Sequence, residues 1–194
     1  MLYFHEKLVI VGDEACGKTS LLSTFFNEKF PKQDIPTVFD NHVVNVRVAD
    51  RIVPISLRDT AGHEDYDRVR PLSYPDASVI MICYSIDAPD SLQNVKVKWN
   101  PDIHHLCGNL PIILVGNKVD LRNDDSTVHH LNKFSQKPVT YSEGKEVATD
   151  IKACGFFECS AMNNLNVKEV FHEATRAALF DKSSKKRQCV IAAI

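Results

Sequence analysis

The sequence predicts an α/β fold, a six-stranded and mostly parallel sheet with helices on both faces, and three observations carry that expectation. Apolar runs of strand length alternate with stretches of helical periodicity. One connection, Ala49-Asp50-Arg51, is too short for a crossover, so the strands it joins should form an antiparallel hairpin. The loops that follow the strands hold most of the chemistry-bearing residues, which is where sheets of this kind bind ligands.

Strands are expected at Lys7–Val11, Val38–Val48, Val53–Leu57, Ala77–Ser85, Pro111–Val115 and Phe156–Cys159, each an apolar run bounded by turn residues. Helices are expected between them at Lys18–Phe26, Ser91–His105 and Ser142–Ala153. A last helix, Val167–Phe180, sets Val167, Val170, Phe171, Ala174, Ala178 and Leu179 at near-helical spacing.

The 194 residues suffice for one domain with a substantial core, expected over 1–180, followed by a flexible basic tail over 181–194. A net charge of −2 gives no basic field that would suggest nucleic acid as a partner. The six cysteines form no CxxC pair and several sit in apolar runs, which fits reduced thiols in a cytoplasmic protein better than a disulfide frame, a zinc site or redox catalysis. No signal peptide or membrane-spanning run is evident.

Gly12-Asp13-Glu14-Ala15-Cys16-Gly17-Lys18-Thr19 lies between the first strand and the first helix, the layout of a phosphate-binding loop. Backbone N–H groups and the helix dipole favour phosphate there, Lys18 reaches the outer phosphates, and the Thr19 hydroxyl suits magnesium. After the third strand, Asp59-Thr60-Ala61-Gly62 places a carboxylate where it can hold magnesium through water, and Gly62 where a backbone N–H can meet a terminal phosphate. Asn117-Lys118-Val119-Asp120 follows the fifth strand, and Asp120 can accept two hydrogen bonds from the ring N–H and exocyclic amine of guanine, a donor pair adenine lacks. Ser160-Ala161-Met162 can offer a backbone N–H to the guanine carbonyl. Four of the seven glycines (Gly12, Gly17, Gly62, Gly116) fall in these loops.

These motifs, in this order, together with Pro36-Thr37-Val38-Phe39 and the stretch from Glu64 to Tyr74, resemble a small GTPase of the Rho family within the Ras superfamily. The resemblance covers nearly the whole chain and implies a P-loop NTPase fold, with 121–137 as the helical insert of Rho proteins. It implies a GTP or GDP site with Mg2+, formed by Gly12, Asp13, Glu14, Ala15, Cys16, Gly17, Lys18, Thr19, Phe30, Thr37, Asp59, Gly62, Asn117, Lys118, Asp120, Ser160, Ala161 and Met162. Thr19, Thr37 and Asp59 would hold the metal, and Phe30 would lie against the guanine. Asp34, Ile35, Pro36, Thr37, Val38, Phe39, Asp40, Asn41 and His42 would form the effector surface, with residues 62–74 as a second switch. Effectors, exchange factors, GTPase-activating proteins, a dissociation inhibitor, the inner-leaflet membrane and control of the actin cytoskeleton come with the family.

Departures from the family pattern fall at the catalytic positions. Glu14 stands where glycine is usual, adding bulk and negative charge beside the terminal phosphate. Two like charges about 5 Å apart at an effective dielectric of about 20 repel by about 3 kcal/mol. His63, after Gly62, replaces the glutamine that orients the attacking water. Small GTPases with that glutamine still hydrolyse GTP at only about 10⁻⁴ per second without a partner's arginine. The expectation is a protein that hydrolyses slowly, responds poorly to activating proteins and stays mostly GTP-bound; the alternative is a constitutive GTP-bound interaction module without meaningful turnover. An ATP-dependent kinase or ATPase is disfavoured by Asp120. Asp34, Arg58 and Met162 replace an aromatic residue, a tryptophan and a lysine, which bears on exchange and its partners.

Lys182, Lys185, Lys186 and Arg187 precede Cys189, resembling a basic, prenylated tail. The chain ends two residues beyond the prenylation box Cys189-Val190-Ile191-Ala192, so a lipid anchor and a solvated charge run both remain open. The histidine pairs 104–105 and 129–130 read as solvated surface, and Trp99 as part of a helix packing face.

Overall fold

A computed structural model describes the backbone of residues 6–31 and 39–191 and the side chains of 6–31 and 41–180. Its six strands are β1 (Glu6–Gly12), β2 (Phe39–Val48), β3 (Arg51–Thr60), β4 (Val79–Ser85), β5 (Ile112–Asn117) and β6 (Gly155–Glu158). They form one sheet in the order β2-β3-β1-β4-β5-β6. All neighbours run parallel except β2 and β3, whose register pairs Val48 with Arg51 and leaves Ala49 and Asp50 as the turn. The α/β fold expected from the sequence is thus present, including its one antiparallel hairpin.

Strand order changes direction beside β1, because the chain continues to β3 on one side and β4 on the other. In open α/β sheets the crevice at such a point, outside the carboxyl ends of the strands, is the usual ligand site. The loops after β1, β3, β5 and β6 all open on that edge.

The central strands bury both faces, so their side chains alternate between two cores. Leu8 and Ile10 of β1 face one core with Leu21 of α1 (Lys18–Asn27) and Val170, Phe171 and Ala174 of α6 (Val167–Ile191). Phe25 stacks on Phe171 with centroids 4.1 Å apart. Val9 and Val11 face the other core, with Leu92 of α2 (Pro89–Asn94), Ile103 of α3 (Asn100–Cys107) and Val147 of α5 (Tyr141–Asp150).

The segment expected as one helix over Ser91–His105 is broken. A wide π turn, Val95–Trp99, separates α2 from α3 and is closed by the Asn100 N–H donating to Val95 O. Pro101, in the first turn of α3, explains it: proline has no N–H to donate and its ring crowds the carbonyl four residues back, so the ordinary ladder cannot continue. Helix α5 starts at a capping box in which Thr140 and Glu143 satisfy each other's backbone N–H groups. The 121–137 segment carries α4 (Asp125–Asn132), capped by Asp124, whose carboxylate accepts from Thr127 N at 2.8 Å. Helix α6 runs past the expected Phe180 to Ile191. Among the described residues no helix is long and apolar enough to cross a membrane.

Candidate functional site

The loop after β1 wraps around a lysine. Lys18 is only 6% exposed, and its ammonium donates to Gly12 O at 2.9 Å and Asp13 O at 2.6 Å, which holds the charge at the centre of the loop. Gly17 is the N-cap of α1 with φ 84°, and a Cβ there would lie 2.3 Å from Asn117 Nδ2. Only glycine fits, and with no side chain to cap the helix its first N–H groups are left to the loop. Such a loop, with a helix dipole behind it, suits a polyphosphate.

Thr19 and Asp59 come from α1 and β3 and meet at 2.7 Å, the Thr19 hydroxyl donating to Asp59 Oδ2. A buried carboxylate touching a hydroxyl is a donor set of oxygens, the kind magnesium takes. Gly62 packs directly on the phosphate loop: a Cβ there would lie 2.4 Å from the carbonyl carbon of Asp13 and from Glu14 N. The loops after β1 and β3 therefore form a single surface.

Asn117 ties the other loops to it. Its amide donates to Cys16 O at 3.2 Å and Gly17 O at 3.1 Å, while its Oδ1 accepts from Lys118 N at 2.9 Å and Ala161 N at 3.4 Å. Thr24 Oγ1 donates to Ala161 O at 3.2 Å, fixing the 160–162 loop to α1. Asp120 follows in a 3-10 turn, and its Oδ1 is buried without a hydrogen-bond partner among the described residues. An orphaned buried carboxylate oxygen is costly, and a ligand offering N–H donors would satisfy it. The residues therefore fit a guanine nucleotide with magnesium: Asp120 for the base, Lys18 for phosphate, Thr19 and Asp59 for the metal.

Glu14 and His63 lie on this surface and face each other, His63 Nε2 standing 4.0 Å from Glu14 Oε2. Their side chains are 44% exposed for His63 and 69% for Glu14. His63 caps the 3-10 turn Glu64–Tyr66: its Nδ1 lies 3.2 Å from Asp65 N and 3.3 Å from Asp65 Oδ2, which leaves Nε2 as the ring nitrogen on the Glu14 side.

Three residues that the sequence did not link to the Gly12–Thr19 loop or to the loop after β3 by any contact also belong here. Trp99, fully buried, donates its indole N–H to Asp13 Oδ1 at 2.7 Å, and Asn94 Nδ2 donates to Asp13 Oδ2 at 2.7 Å. Arg70 donates to Ala61 O and His63 O, each at 2.9 Å. Trp99 is a packing residue as expected, but its polar edge also serves the loop. Sequence spacing carries no signal for these pairs, since Trp99 and Asp13 are 86 residues apart.

Phe30 lies beyond α1 and is 40% exposed; Met162 is exposed. Arg58 is half-buried, its Nε without a hydrogen-bond partner among the described residues. Asn41 and His42 lie on β2, Asn41 Oδ1 accepting from Ser56 Oγ at 2.8 Å and the His42 ring 4.5 Å from Phe26. Asp34, Ile35, Pro36, Thr37 and Val38 fall outside the described residues, as do the side chains of Phe39, Asp40 and Cys189. The histidines at 104, 105, 129 and 130 are exposed. Burial raises the thiols of Cys16 and Cys83 and pushes Cys159 up to about 12, so these cysteines are protonated packing groups at neutral pH.

Residues 7–180 match the family model of the Ras family, and the chain therefore belongs to that family. It is in general terms a small GTPase switch: proteins of this family bind guanine nucleotide with Mg2+ and engage effectors, exchange factors and activating proteins.

Proposed function

We propose that the chain is a GTP-binding signalling switch of the Rho type whose hydrolysis is strongly impaired, so that it rests mostly in its GTP-bound form. One observation carries the proposal: Glu14 and His63 face each other at 4.0 Å on the rim of a cradle whose other loops are braced for nucleotide. In this reading Lys18 binds the outer phosphates, Thr19, Thr37 and Asp59 hold magnesium, and Asp120 and Ala161 read guanine. When bound, magnesium neutralises charge on the phosphoryl oxygens.

The chain's own groups then work against turnover. The carboxylate of Glu14 adds negative charge where a developing phosphoryl charge needs positive partners, and its bulk narrows the approach of a partner's arginine. The His63 ring has no amide with which to orient the attacking water as a glutamine would, and its Nε2 stands on the side of the Glu14 carboxylate. Effectors would be read through 34–42 and 62–74, whose contacts with the terminal phosphate distinguish the two nucleotide states. Cys189, behind a basic run, is the candidate for a lipid anchor at the inner leaflet, which prenyl labelling of the wild type and of Cys189→Ser tests.

Single-turnover GTP hydrolysis with and without a Rho-type activating protein tests the proposal. Slow turnover with little stimulation supports it; a stimulation of about 10³-fold or more would contradict it. The second reading, a constitutive module using GTP only as a structural ligand, is favoured by the same pair and predicts no measurable turnover even over many hours.

A further inference from the structure

We infer that Trp99 is a positioning residue for the nucleotide site, a buried hub that holds the phosphate loop through Asp13 and the Ala61-Gly62-His63 backbone through Arg70. The inference rests on the guanine-nucleotide reading above. Both oxygens of the Asp13 carboxylate are tied to the helical segment behind the loop, one by the Trp99 indole N–H and one by Asn94, each at 2.7 Å. The π turn that Pro101 imposes ends on Trp99 itself.

Arg70, 2% exposed, lies over the same ring with its guanidinium carbon 4.7 Å from the centroid. Its Nε and one terminal nitrogen donate to Ala61 O and His63 O, bracketing Gly62, and the other terminal nitrogen donates to Asp67 Oδ1 at 2.5 Å. Lys98 Nζ stands 3.1 Å from Asp67 Oδ2 and 4.9 Å from the Trp99 ring, completing the cluster. Burial alone would raise the Asp67 carboxyl, but the bonds from Arg70 and Lys98 outweigh it and hold it below the usual range.

A buried guanidinium with its donors spent on carbonyls and its face on an indole has little freedom to rearrange piecemeal. A shift of the 61–63 backbone moves Arg70, and the ring beneath it carries the hydrogen bond to Asp13. Since Gly62 also presses on the Asp13 and Glu14 backbone, loop and segment are gripped from both sides. Trp99 thereby joins the piece that holds phosphate to the piece bearing His63.

The experiment is release of a fluorescent GDP analogue from the full chain, loaded with magnesium and chased with unlabelled GDP. Trp99→Phe keeps most of the ring but loses the N–H, and release should quicken about tenfold, the worth of one charge-assisted hydrogen bond. Arg70→Lys keeps the charge but not the fork, and should quicken release as well. The double variant should fall short of the product of the two, because both act through one hub. Ile103→Val, fully buried on α3 in the same core, should lower thermal stability and leave release unchanged. Release at the wild-type rate from both Trp99→Phe and Arg70→Lys would overturn the inference, and so would equal acceleration by Ile103→Val. A folded, magnesium-loaded wild type that retains no guanine nucleotide would remove the nucleotide reading and this inference together.

Discussion

The base end and the phosphate end of the candidate cradle are built to different tolerances. Around the 117–120 loop the anchor is interior: Asn117 is 1% exposed, its amide bonds to the loop after β1 and accepts from the loop after β6, and Lys118, Val119 and Asp120 are half-buried beside it. At the other end the Glu14 and His63 side chains are exposed at the rim, 4.0 Å from each other, with Asp65 3.3 Å from His63. A substitution at Asn117 would unfasten three loops, whereas substitutions at 14 and 63 leave the backbone frame intact. On the proposed reading binding and turnover are therefore separable, with Glu14 and His63 bearing on the second and Asn117 on the first.

The sharpest way to break this contrast is at the base. Asp120→Ala should weaken guanine nucleotide binding about 10⁴-fold, since two charge-assisted hydrogen bonds go at once; titration with a fluorescent nucleotide measures it, and a loss below tenfold would show that the base is read elsewhere. At the rim the effect should have the opposite sign. The double variant Glu14→Gly, His63→Gln should hydrolyse GTP about 10³-fold faster than wild type in the presence of a Rho-type activating protein, with binding nearly unchanged. Each single substitution should recover only part, because one obstacle remains.

A smaller effect is expected at the metal. Thr19→Ala removes one oxygen from the pair it forms with Asp59 and should raise the magnesium needed for half-maximal nucleotide retention about tenfold. The smallest lies away from both ends. Thr140→Ala dismantles the α5 capping box and should cost about 1 kcal/mol in denaturant unfolding, with nucleotide affinity unaltered.

Much of the frame could be read from residue order. The strands lie within a few residues of their expected spans, because buried strands in this sheet are nearly unbroken runs of Val, Ile and Leu. The hairpin followed from a connection too short to cross over, and the place of the Gly12–Thr19 loop from its position between a strand and a helix. The break between α2 and α3 was written in Pro101, but helical periodicity masked it. What order could not convey is which distant side chains meet. Trp99 and Asp13, or Arg70 and the Ala61 carbonyl, are brought together by the packing of the Val95–Trp99 turn against β1 and of the Arg70–Ser73 turn against β3, and nothing local marks them. The same holds for Glu14 and His63: each was visible as a departure, but their 4.0 Å approach depends on Gly62 seating against the phosphate loop.

The central claim is that this cradle holds a guanine nucleotide it seldom hydrolyses. Chromatography of the nucleotide released by denaturing freshly purified protein tests it most directly. The account predicts GTP as the main species. A GDP-loaded protein would contradict the impaired turnover, and an adenine nucleotide would contradict the reading of Asp120 on which the whole assignment stands.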